Sequence, residues 1–251
     1  MTPLLMQLAP DDMLARVLYR DGLMLVIDKP VGLPVHRGPK GGSSLEDQFD
    51  ALRYGLPRPP ALAHRLDKDT SGCLVLGRHR KALAHLGLLF KHGKIGKTYW
   101  TVVEGAPESD EGTIDLPLGR LDVARGWWMK PDPKGQPAVT TWKVLGRASS
   151  TTKLCWLALE PVTGRTHQLR VHCAAMGWPI VGDNIYGSAP RVGGPVLHLH
   201  SREIVVPLYP KRAPIAVTAP VPAHMHARLT ACGWSGERLT EGRGERLIPD
   251  P

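Results

Sequence analysis

The apolar residues of this chain are arranged in short runs that turn-forming residues separate. Residues 17–19 and 23–29, for example, are divided by Asp21-Gly22, a pattern typical of two strands joined by a tight turn. No segment approaches the ~20 consecutive apolar residues that a membrane span requires. The chain is therefore predicted to fold from short elements and to open with a β-hairpin.

Further strands and helices are predicted from the spacing of apolar residues. Continuous or alternating apolar runs predict strands at residues 73–76, 97–103, 139–145, 153–160, 196–206 and 214–219. Spacings of three and four residues predict helices at residues 44–54, 79–90, 163–176 and 222–232. We therefore expect an α+β fold with a mostly antiparallel sheet and flanking helices.

Composition bounds both the size of the fold and the kind of partner. With 251 residues, 42% of them hydrophobic, the chain can build one sizeable core, and we expect a single domain over residues 1–232. Residues 233–251 are mostly polar and are expected to be loosely ordered. A formal charge of +9 favours a polyanionic partner such as RNA, DNA or an acidic membrane surface. Residues 1–12 lack a basic segment followed by a long apolar run, so a cytoplasmic protein is expected.

The cysteines and histidines do not favour a metal site. The four cysteines form no C-x-x-C pair, so reduced, buried thiols are expected at Cys73, Cys155, Cys173 and Cys232. Two histidine pairs alternate, His198 with His200 and His224 with His226, but no Cys, Asp or Glu stands beside them at ligand spacing. One face of a sheet is the favoured interpretation, and no metal is predicted.

Residues 64–72 (HRLDKDTSG) set a carboxylate, Asp67, among basic side chains in a segment of turn-forming residues that leads into a predicted strand. Neighbouring positive charge favours the ionised carboxylate at neutral pH, where it can act as a nucleophile or stabilise a developing cation. The alternative is a salt-bridged surface acid followed by a simple turn. The segment alone leaves both interpretations open.

Two other segments carry basic or aromatic side chains. Residues 108–136 are rich in Gly, Pro and charge and include Arg120, Arg125, Trp127 and Trp128. Basic and aromatic side chains together suit a surface that stacks on nucleotides, whereas a hairpin whose tryptophans pack on the core is the equally weighted alternative. Residues 29–42 predict an exposed basic loop that can touch phosphates.

Residues 163–172 (TGRTHQLRVH) predict the start of a helix, with Arg165 in its first turn and Arg170 one turn later. An arginine near a helix N-terminus opposes the helix dipole and calls for a carboxylate or a phosphate nearby. Two exposed helix arginines remain the alternative.

Five motifs, in order, resemble those of the RluA family of pseudouridine synthases. They are residues 28–33 (DKPVGL), 64–72 (HRLDKDTSG), 97–99 (KTY), 164–172 (GRTHQLRVH) and 177–187 (GWPIVGDNIYG). The resemblance covers about residues 17–232 and implies isomerisation of uridine to pseudouridine in ribosomal or transfer RNA. It also implies a mixed, mostly antiparallel sheet whose active cleft crosses its middle.

The resemblance assigns roles residue by residue. Asp67 corresponds to the catalytic aspartate, Tyr99 to the active-site tyrosine that stacks on the target base, and Arg170 to the arginine paired with that aspartate. Arg65 corresponds to the arginine that fills the gap left by a flipped nucleotide. The remaining positions expected to contact RNA are Arg165, His64, Lys68 and Thr70.

The chemistry leaves two routes open for Asp67: covalent capture of C1′, as in retaining glycosidases, or removal of the 2′ proton to give a glycal. Neither route needs a metal or an organic cofactor. Asp69, which precedes Thr70, suits a turn-forming hydrogen bond better than a second catalytic role. Two other function classes stay open: a non-catalytic RNA-binding or ribosome-assembly factor, and an N-glycosidase that uses Asp67 and Asp69.

Many relatives carry an N-terminal S4 RNA-binding domain, and we expect none here because the first predicted hairpin begins at residue 17. Recognition of RNA would then rest on the catalytic domain and its basic loops. No obligate protein partner is implied, and a monomer is expected.

Overall fold

The computed structural model describes residues 10–38, 41–122, 127–149 and 153–237. The chain divides into two compact units, each assembled from separate stretches. Of the described residues, unit 1 comprises those up to Ile95 together with Glu203–Pro220, and unit 2 comprises those of Gly96–Arg202 and of 221–237. Within the described ranges, no helix has the length and apolar character needed to cross a membrane.

Unit 1 opens with the predicted hairpin. Strands β1 (Val17–Arg20) and β2 (Met24–Lys29) are antiparallel. The Asp21 carboxylate accepts the backbone N–H groups of Leu23 and Met24, both at 2.8 Å, and so closes the turn. The side chain of a turn residue thus fixes where β2 begins.

The strand predicted at residues 73–76 and the helix predicted at residues 79–90 are confirmed as β4 (Ser71–Gly77) and α2 (Arg80–Lys91). Unit 1 also contains a 3₁₀ helix (Leu45–Leu52) and two elements that the sequence did not predict, α1 (Pro10–Leu14) and β3 (Ala61–Leu62). Strand β4 pairs with β2 in antiparallel register, with Lys29 opposite Gly72. His79 caps α2 by accepting the Ala82 N–H at 3.3 Å, and Gly93 ends it with φ +62°.

The helix predicted over residues 44–54 is shorter and tighter than expected. It is a 3₁₀ helix that begins after Ser44, whose backbone N–H donates to the Asp47 carboxylate at 2.8 Å. It ends before Tyr54 and Gly55, which have positive φ angles of 45° and 80° that no helix can accommodate. The predicted inner face of the helix is buried. Lys40 of the predicted basic loop lies outside the described residues.

Unit 2 is built on an antiparallel sheet of four strands in the order β5-β10-β9-β6. The strands are β5 (Gly96–Glu104), β6 (Glu111–Asp115), β9 (Val139–Arg147) and β10 (Leu154–Pro161). A small separate hairpin joins β7 (Leu118–Arg120) to β8 (Met129–Pro131). Two helices complete the unit, α3 (Gln168–Ala175) and α4 (Ala223–Ala231).

The helix predicted from residue 163 begins five residues later, at Gln168. The Gln168 side chain accepts the Thr163 hydroxyl at 2.7 Å and the Arg165 N–H at 3.0 Å, and it donates to the Val139 carbonyl at 2.9 Å. These bonds hold residues 163–167 as a loop against β9. Arg165 therefore precedes α3, and the prediction that it lies in the first helical turn is wrong.

Strand β11 (Leu199–Val206) passes from unit 2 into unit 1 at Arg202–Glu203. Its second half pairs in antiparallel register with β12 (Ile215–Thr218) in unit 1. The α+β class with a mostly antiparallel sheet is thus confirmed.

Each unit has apolar clusters of its own. Unit 1 packs Met24 and Val26 of β2 against Val75 and Leu86, and unit 2 packs Val102 and Trp156 against α4. The single domain over residues 1–232 and the loosely ordered tail stay predictions. Within that tail, Glu237 pairs with Arg202 at 2.6 Å, whereas residues 238–251 lie outside the described part of the chain.

Candidate active site

Asp67 stands in unit 1 in the loop that leads into β4. It is half-buried and lies between Leu66, which is buried, and Lys68, which is exposed. The Thr70 N–H donates to the Asp67 carbonyl at 3.1 Å and closes a turn over residues 67–70. Asp69 therefore occupies the middle of a tight turn, as the sequence predicts.

A buried lysine holds this turn. The sequence predicts Lys29 at the start of an exposed basic loop over residues 29–42, and for this residue the prediction is wrong. Lys29, at the end of β2, is fully buried, and its Nζ donates to the carbonyl oxygens of Pro30 (2.9 Å), Lys68 (2.9 Å) and Thr70 (2.8 Å). The three acceptors match the three N–H groups of an ammonium. The Gly32 N–H adds a second bond to the Lys68 carbonyl at 3.0 Å. The chain on both sides of Asp69 is thus fixed to the end of β2.

Burial lowers the pKa of Lys29 to about 7, while the carboxylates of Asp69, Asp67 and Asp28 act in the opposite direction and favour the charged form. The lysine is therefore coupled electrostatically to the acids of this segment as well as bonded to its backbone. A signal was present in the sequence: Lys29 ends an apolar strand in line with inward-facing residues. A lysine in such a position needs partners.

The basic neighbours of Asp67 differ in their surroundings. His64 accepts the Val75 N–H at Nε2 (3.0 Å), and its ring stacks on Phe90 at 4.5 Å between centroids. These contacts favour a structural role, and the predicted RNA contact of His64 stays a prediction. Arg65 and Lys68 are exposed, as RNA-contacting side chains should be. Thr70 is only 2% exposed and offers RNA little surface.

Tyr99 lies on β5 of unit 2, opposite Leu159 of β10, and is 8% exposed. Lys97, two residues earlier on the same strand, is half-buried, and burial lowers its pKa. Side chains two apart on a strand share a face, so both belong to one side of the unit 2 sheet. The role of Tyr99 as the residue stacked on the base stays a prediction.

Arg170 forms a buried bidentate ion pair with Asp183. Its Nε lies 2.8 Å from Oδ2 and its Nη2 lies 2.7 Å from Oδ1, with the two residues 3% and 1% exposed. Oδ1 also accepts the N–H groups of Ile185 (2.9 Å) and Tyr186 (3.0 Å). Burial pushes the pKa of Asp183 upward, but Arg170 and these two N–H groups outweigh it and leave the pKa below its usual range.

Asp183 is thus the partner of Arg170 within unit 2, and sequence reasoning missed it. The motif at residues 177–187, which contains both Asp183 and Tyr186, was the available signal. The predicted pairing of Arg170 with Asp67 joins residues of different units and stays a prediction.

Arg165 is held in the loop before α3 by its Nε, which donates to the Pro137 carbonyl at 3.0 Å. Its two terminal nitrogens have no protein partner among the described residues. Arg165 is therefore oriented by the protein while keeping donors for a ligand.

The histidines and cysteines that could be considered as metal ligands have structural surroundings. His198 and His224 hydrogen-bond the carbonyls of Val196 (2.7 Å) and Leu197 (3.2 Å), and the four cysteines are buried thiols outside any disulfide. Within the described ranges, no three His, Cys, Asp or Glu side chains are grouped so that they could hold a metal ion.

A family model described as RNA pseudouridylate synthase matches residues 23–175, which include Asp67, Tyr99 and Arg170. This chain belongs to the RNA pseudouridine synthase family. The predicted resemblance and the predicted enzyme class, an isomerase, are both confirmed.

Relatives match along most of their length. An uncharacterized RNA pseudouridine synthase of Zymomonas mobilis is 44% identical over 211 residues, which is 82% of this chain and 94% of that protein. The ribosomal large subunit pseudouridine synthase C of Vibrio cholerae is 34% identical over 225 residues, which is 85% of this chain and 68% of that protein.

Solved structures agree with the fold. The human RNA pseudouridylate synthase domain containing 4 superimposes with a TM-score of 0.73 at 27% identity, over 89% of this chain and 95% of that one. The human domain containing 1 protein gives a TM-score of 0.68 over 91% of this chain and 98% of that one, and at 24% identity it speaks for the fold alone.

Proposed function

We propose that this RNA pseudouridine synthase isomerises a uridine of ribosomal or transfer RNA, with Asp67 as its catalytic carboxylate. The observation that carries the assignment is the Lys29 ammonium, which is bonded to the Lys68 and Thr70 carbonyls and so fixes the turn that presents Asp67. A carboxylate on a fixed turn can meet C1′ of a bound nucleotide in one geometry. Among possible substrates, large-subunit ribosomal RNA is the first to test, because a relative bears that name.

The reaction breaks the bond between N1 of uracil and C1′, turns the base, and forms a bond between C5 and C1′. Positive charge develops at C1′ as the first bond breaks, and the Asp67 carboxylate stabilises or captures it. In the second route, Asp67 instead removes the 2′ proton and returns it after the base has turned. In both routes the C5 proton leaves and N1 gains one, so the product is an isomer of the substrate.

The other residues support these steps. The uridine has to leave its stack, and the exposed Arg65 can occupy the vacancy and so lower the cost of flipping, which is a few kcal/mol. Tyr99, nearly buried, covers the uracil and accepts the C5 proton directly or through a water molecule. Arg170, held by Asp183, keeps a positive charge available for the Asp67 carboxylate.

The test uses RNA that carries tritium at uridine C5. The protein should release tritium to water, and Asp67→Asn should abolish the release. Asp69→Asn is the matched control, since it removes one negative charge two residues away in the same turn, and it should retain turnover.

Retained turnover in Asp67→Asn would remove that residue from the chemistry. No release from ribosomal or transfer RNA, with RNA binding intact, would favour an RNA-binding factor. Accumulation of free uracil would favour an N-glycosidase.

A further inference from the structure

Two adjacent tryptophans in unit 2 have different surroundings. Trp128 is half-buried, with the Arg191 guanidinium 5.6 Å from its ring centroid. Trp127 is 56% exposed and is the one exposed Trp, Tyr or Phe among the residues that the structure describes. An exposed indole face is available to stack on a nucleotide base.

Trp127 stands at the wall of a cavity of about 440 Å³. Its other polar and charged lining residues are Arg120, Lys134, Gln136, Arg165 and Thr166. Cavities that take small ligands are typically about 300 to 1,000 Å³, so this one has room for a single nucleotide.

Among the described residues, the lining carries three cations and no carboxylate. Asp132, beside the lining residue Gly119, has its Oδ1 accepting the Lys134 N–H at 2.9 Å. Arg165 brings terminal nitrogens without a protein partner among the described residues. The cavity therefore combines an aromatic face with an excess of positive charge, which is the chemistry of a base joined to a phosphate.

The Trp127 side of the cavity packs against His167, which contacts Tyr186. Trp127 meets the His167 ring edge to face at 5.1 Å, and His167 Nδ1 lies 2.8 Å from the Tyr186 hydroxyl. The Tyr186 hydroxyl also accepts the Met129 N–H at 3.0 Å, so the first residue of β8 is bonded to the same hydroxyl as His167. Because the wall is preorganised, a base that stacks on Trp127 does not have to order it.

We infer that this cavity binds one unpaired nucleotide of the RNA, with its base stacked on Trp127 and its phosphate held by Arg120, Lys134 and Arg165. That the nucleotide belongs to an RNA rests on the proposed function. That the ligand is a nucleotide is argued from the residues that line the cavity. Tyr186 joins the cavity to the Arg170–Asp183 pair, since its N–H donates to Asp183 and the Arg170 guanidinium lies 5.3 Å from its ring. A nucleotide here is thus positioned relative to Arg170.

The experiment measures binding of a labelled single-stranded RNA of mixed sequence by fluorescence anisotropy, at about 50 to 200 mM salt. Trp127→Ala should weaken binding by about five-fold or more at every salt concentration, and Trp127→Phe should retain most of the affinity because it keeps an aromatic face. Arg120→Ala and Lys134→Ala should each reduce the slope of log K against log salt by about one.

Two control variants and a folding measurement accompany these. Leu88→Ala removes an exposed apolar side chain from α2, and Lys143→Ala removes an exposed cation from β9, outside the cavity lining; both should bind RNA as the parent protein does. Urea unfolding of Trp127→Ala separates a loss of binding from a loss of folding.

Equal binding by Trp127→Ala and the parent protein would overturn the inference, as would an equal loss on fully paired duplex RNA, which offers no free base. If free uridine monophosphate displaced the RNA with an affinity equal to that of the RNA, the inference that the cavity binds a nucleotide of an RNA chain would be wrong. Tritium release by the parent protein is measured separately. If the parent protein releases no tritium but Trp127→Ala still weakens RNA binding, the proposed function is wrong and the nucleotide site is supported. If the parent protein releases tritium but Trp127→Ala binds RNA normally, the proposed function is supported and the nucleotide site is wrong.

Discussion

The Lys29 Nζ lies 2.8 Å from the Thr70 carbonyl oxygen, 41 residues along the chain, and both residues are buried. The same nitrogen also bonds the carbonyls of Pro30 and Lys68. One side chain therefore satisfies backbone groups on both sides of Asp69, groups that no helix or strand would otherwise satisfy. The position of the turn that carries Asp67 therefore depends on a buried lysine at the end of β2.

Replacing Lys29 by Met should keep the volume of the side chain and remove one donor from each of the three carbonyls, of which the Lys68 carbonyl keeps the Gly32 N–H. We expect a loss of unfolding free energy on the order of 3 kcal/mol. We also expect a loss of turnover that persists at temperatures where the variant is fully folded, because the turn at residues 67–70 is no longer held. Urea unfolding and tritium release measure the two effects.

Lys94→Met is the matched control, since Lys94 is exposed in unit 1 and its change should leave both measurements near those of the parent protein. Turnover at the parental rate in folded Lys29→Met would show that the turn keeps its geometry without the ammonium.

Asp183→Asn should destabilise the protein by about 3 to 5 kcal/mol at pH 7, because it leaves the Arg170 charge buried without its partner. The pKa of Asp183 is lower in the folded state than its unfolded value of about 3.9. The contribution of the pair is therefore complete above about pH 3.9 and is lost as the pH falls through the folded-state pKa. Urea unfolding should show the gap between parent and variant narrowing at low pH.

Asp110→Asn provides the comparison, because the side chain of Asp110 is 83% exposed in its pair with Arg147. It should cost no more than about 1 kcal/mol. A gap for Asp183→Asn that stayed the same from neutral to acid pH would argue that the carboxylate acts through packing alone.

Tyr99→Phe should preserve the aromatic ring and remove the proposed acceptor of the C5 proton. We expect the turnover number to fall by roughly 10² to 10⁴ while RNA affinity changes little. Single-turnover isomerisation and anisotropy separate the two quantities. Tyr54→Phe, a half-buried tyrosine of unit 1, should react at the parental rate. If Tyr99→Phe does too, the hydroxyl takes no part in proton transfer.

His64→Ala should lower stability by about 1 to 3 kcal/mol, because the Val75 N–H loses its acceptor and Phe90 loses its stacking partner. RNA affinity should be nearly unchanged in urea-free buffer. His85→Ala, at an exposed position of α2, should change neither quantity. A large loss of RNA affinity in folded His64→Ala would instead support the contact with RNA that the sequence predicts.

Local patterns allowed many of the elements to be predicted. The β1–β2 hairpin depends on the turn residue Asp21, as the sequence indicates, and the helix predicted at residues 79–90 appears as α2, where the structure shows His79 as its cap. The start of α3 was missed because Gln168 bonds to Val139, 29 residues away, and this tertiary contact replaces the first helical turn.

In the candidate site, too, local motifs could be predicted and tertiary contacts could not. Its acids, arginines and tyrosine stand out as motifs, but the partners that hold them do not. Asp183 and Lys29 form bonds of 2.7 to 2.9 Å with residues 13 to 41 positions away along the chain. Periodicity and composition carry no information about such pairs, since both describe only neighbours along the chain.

The two units are interleaved along the chain, since unit 1 resumes at Glu203 after unit 2 has begun and unit 2 resumes at Val221. A ribosome that has released residues up to 202 has therefore completed neither: unit 1 still lacks β12, and unit 2 still lacks α4. Co-translational folding cannot finish one half before the other starts. A fragment that stops at the end of the matched family segment, residue 175, should likewise expose apolar faces of both cores and aggregate.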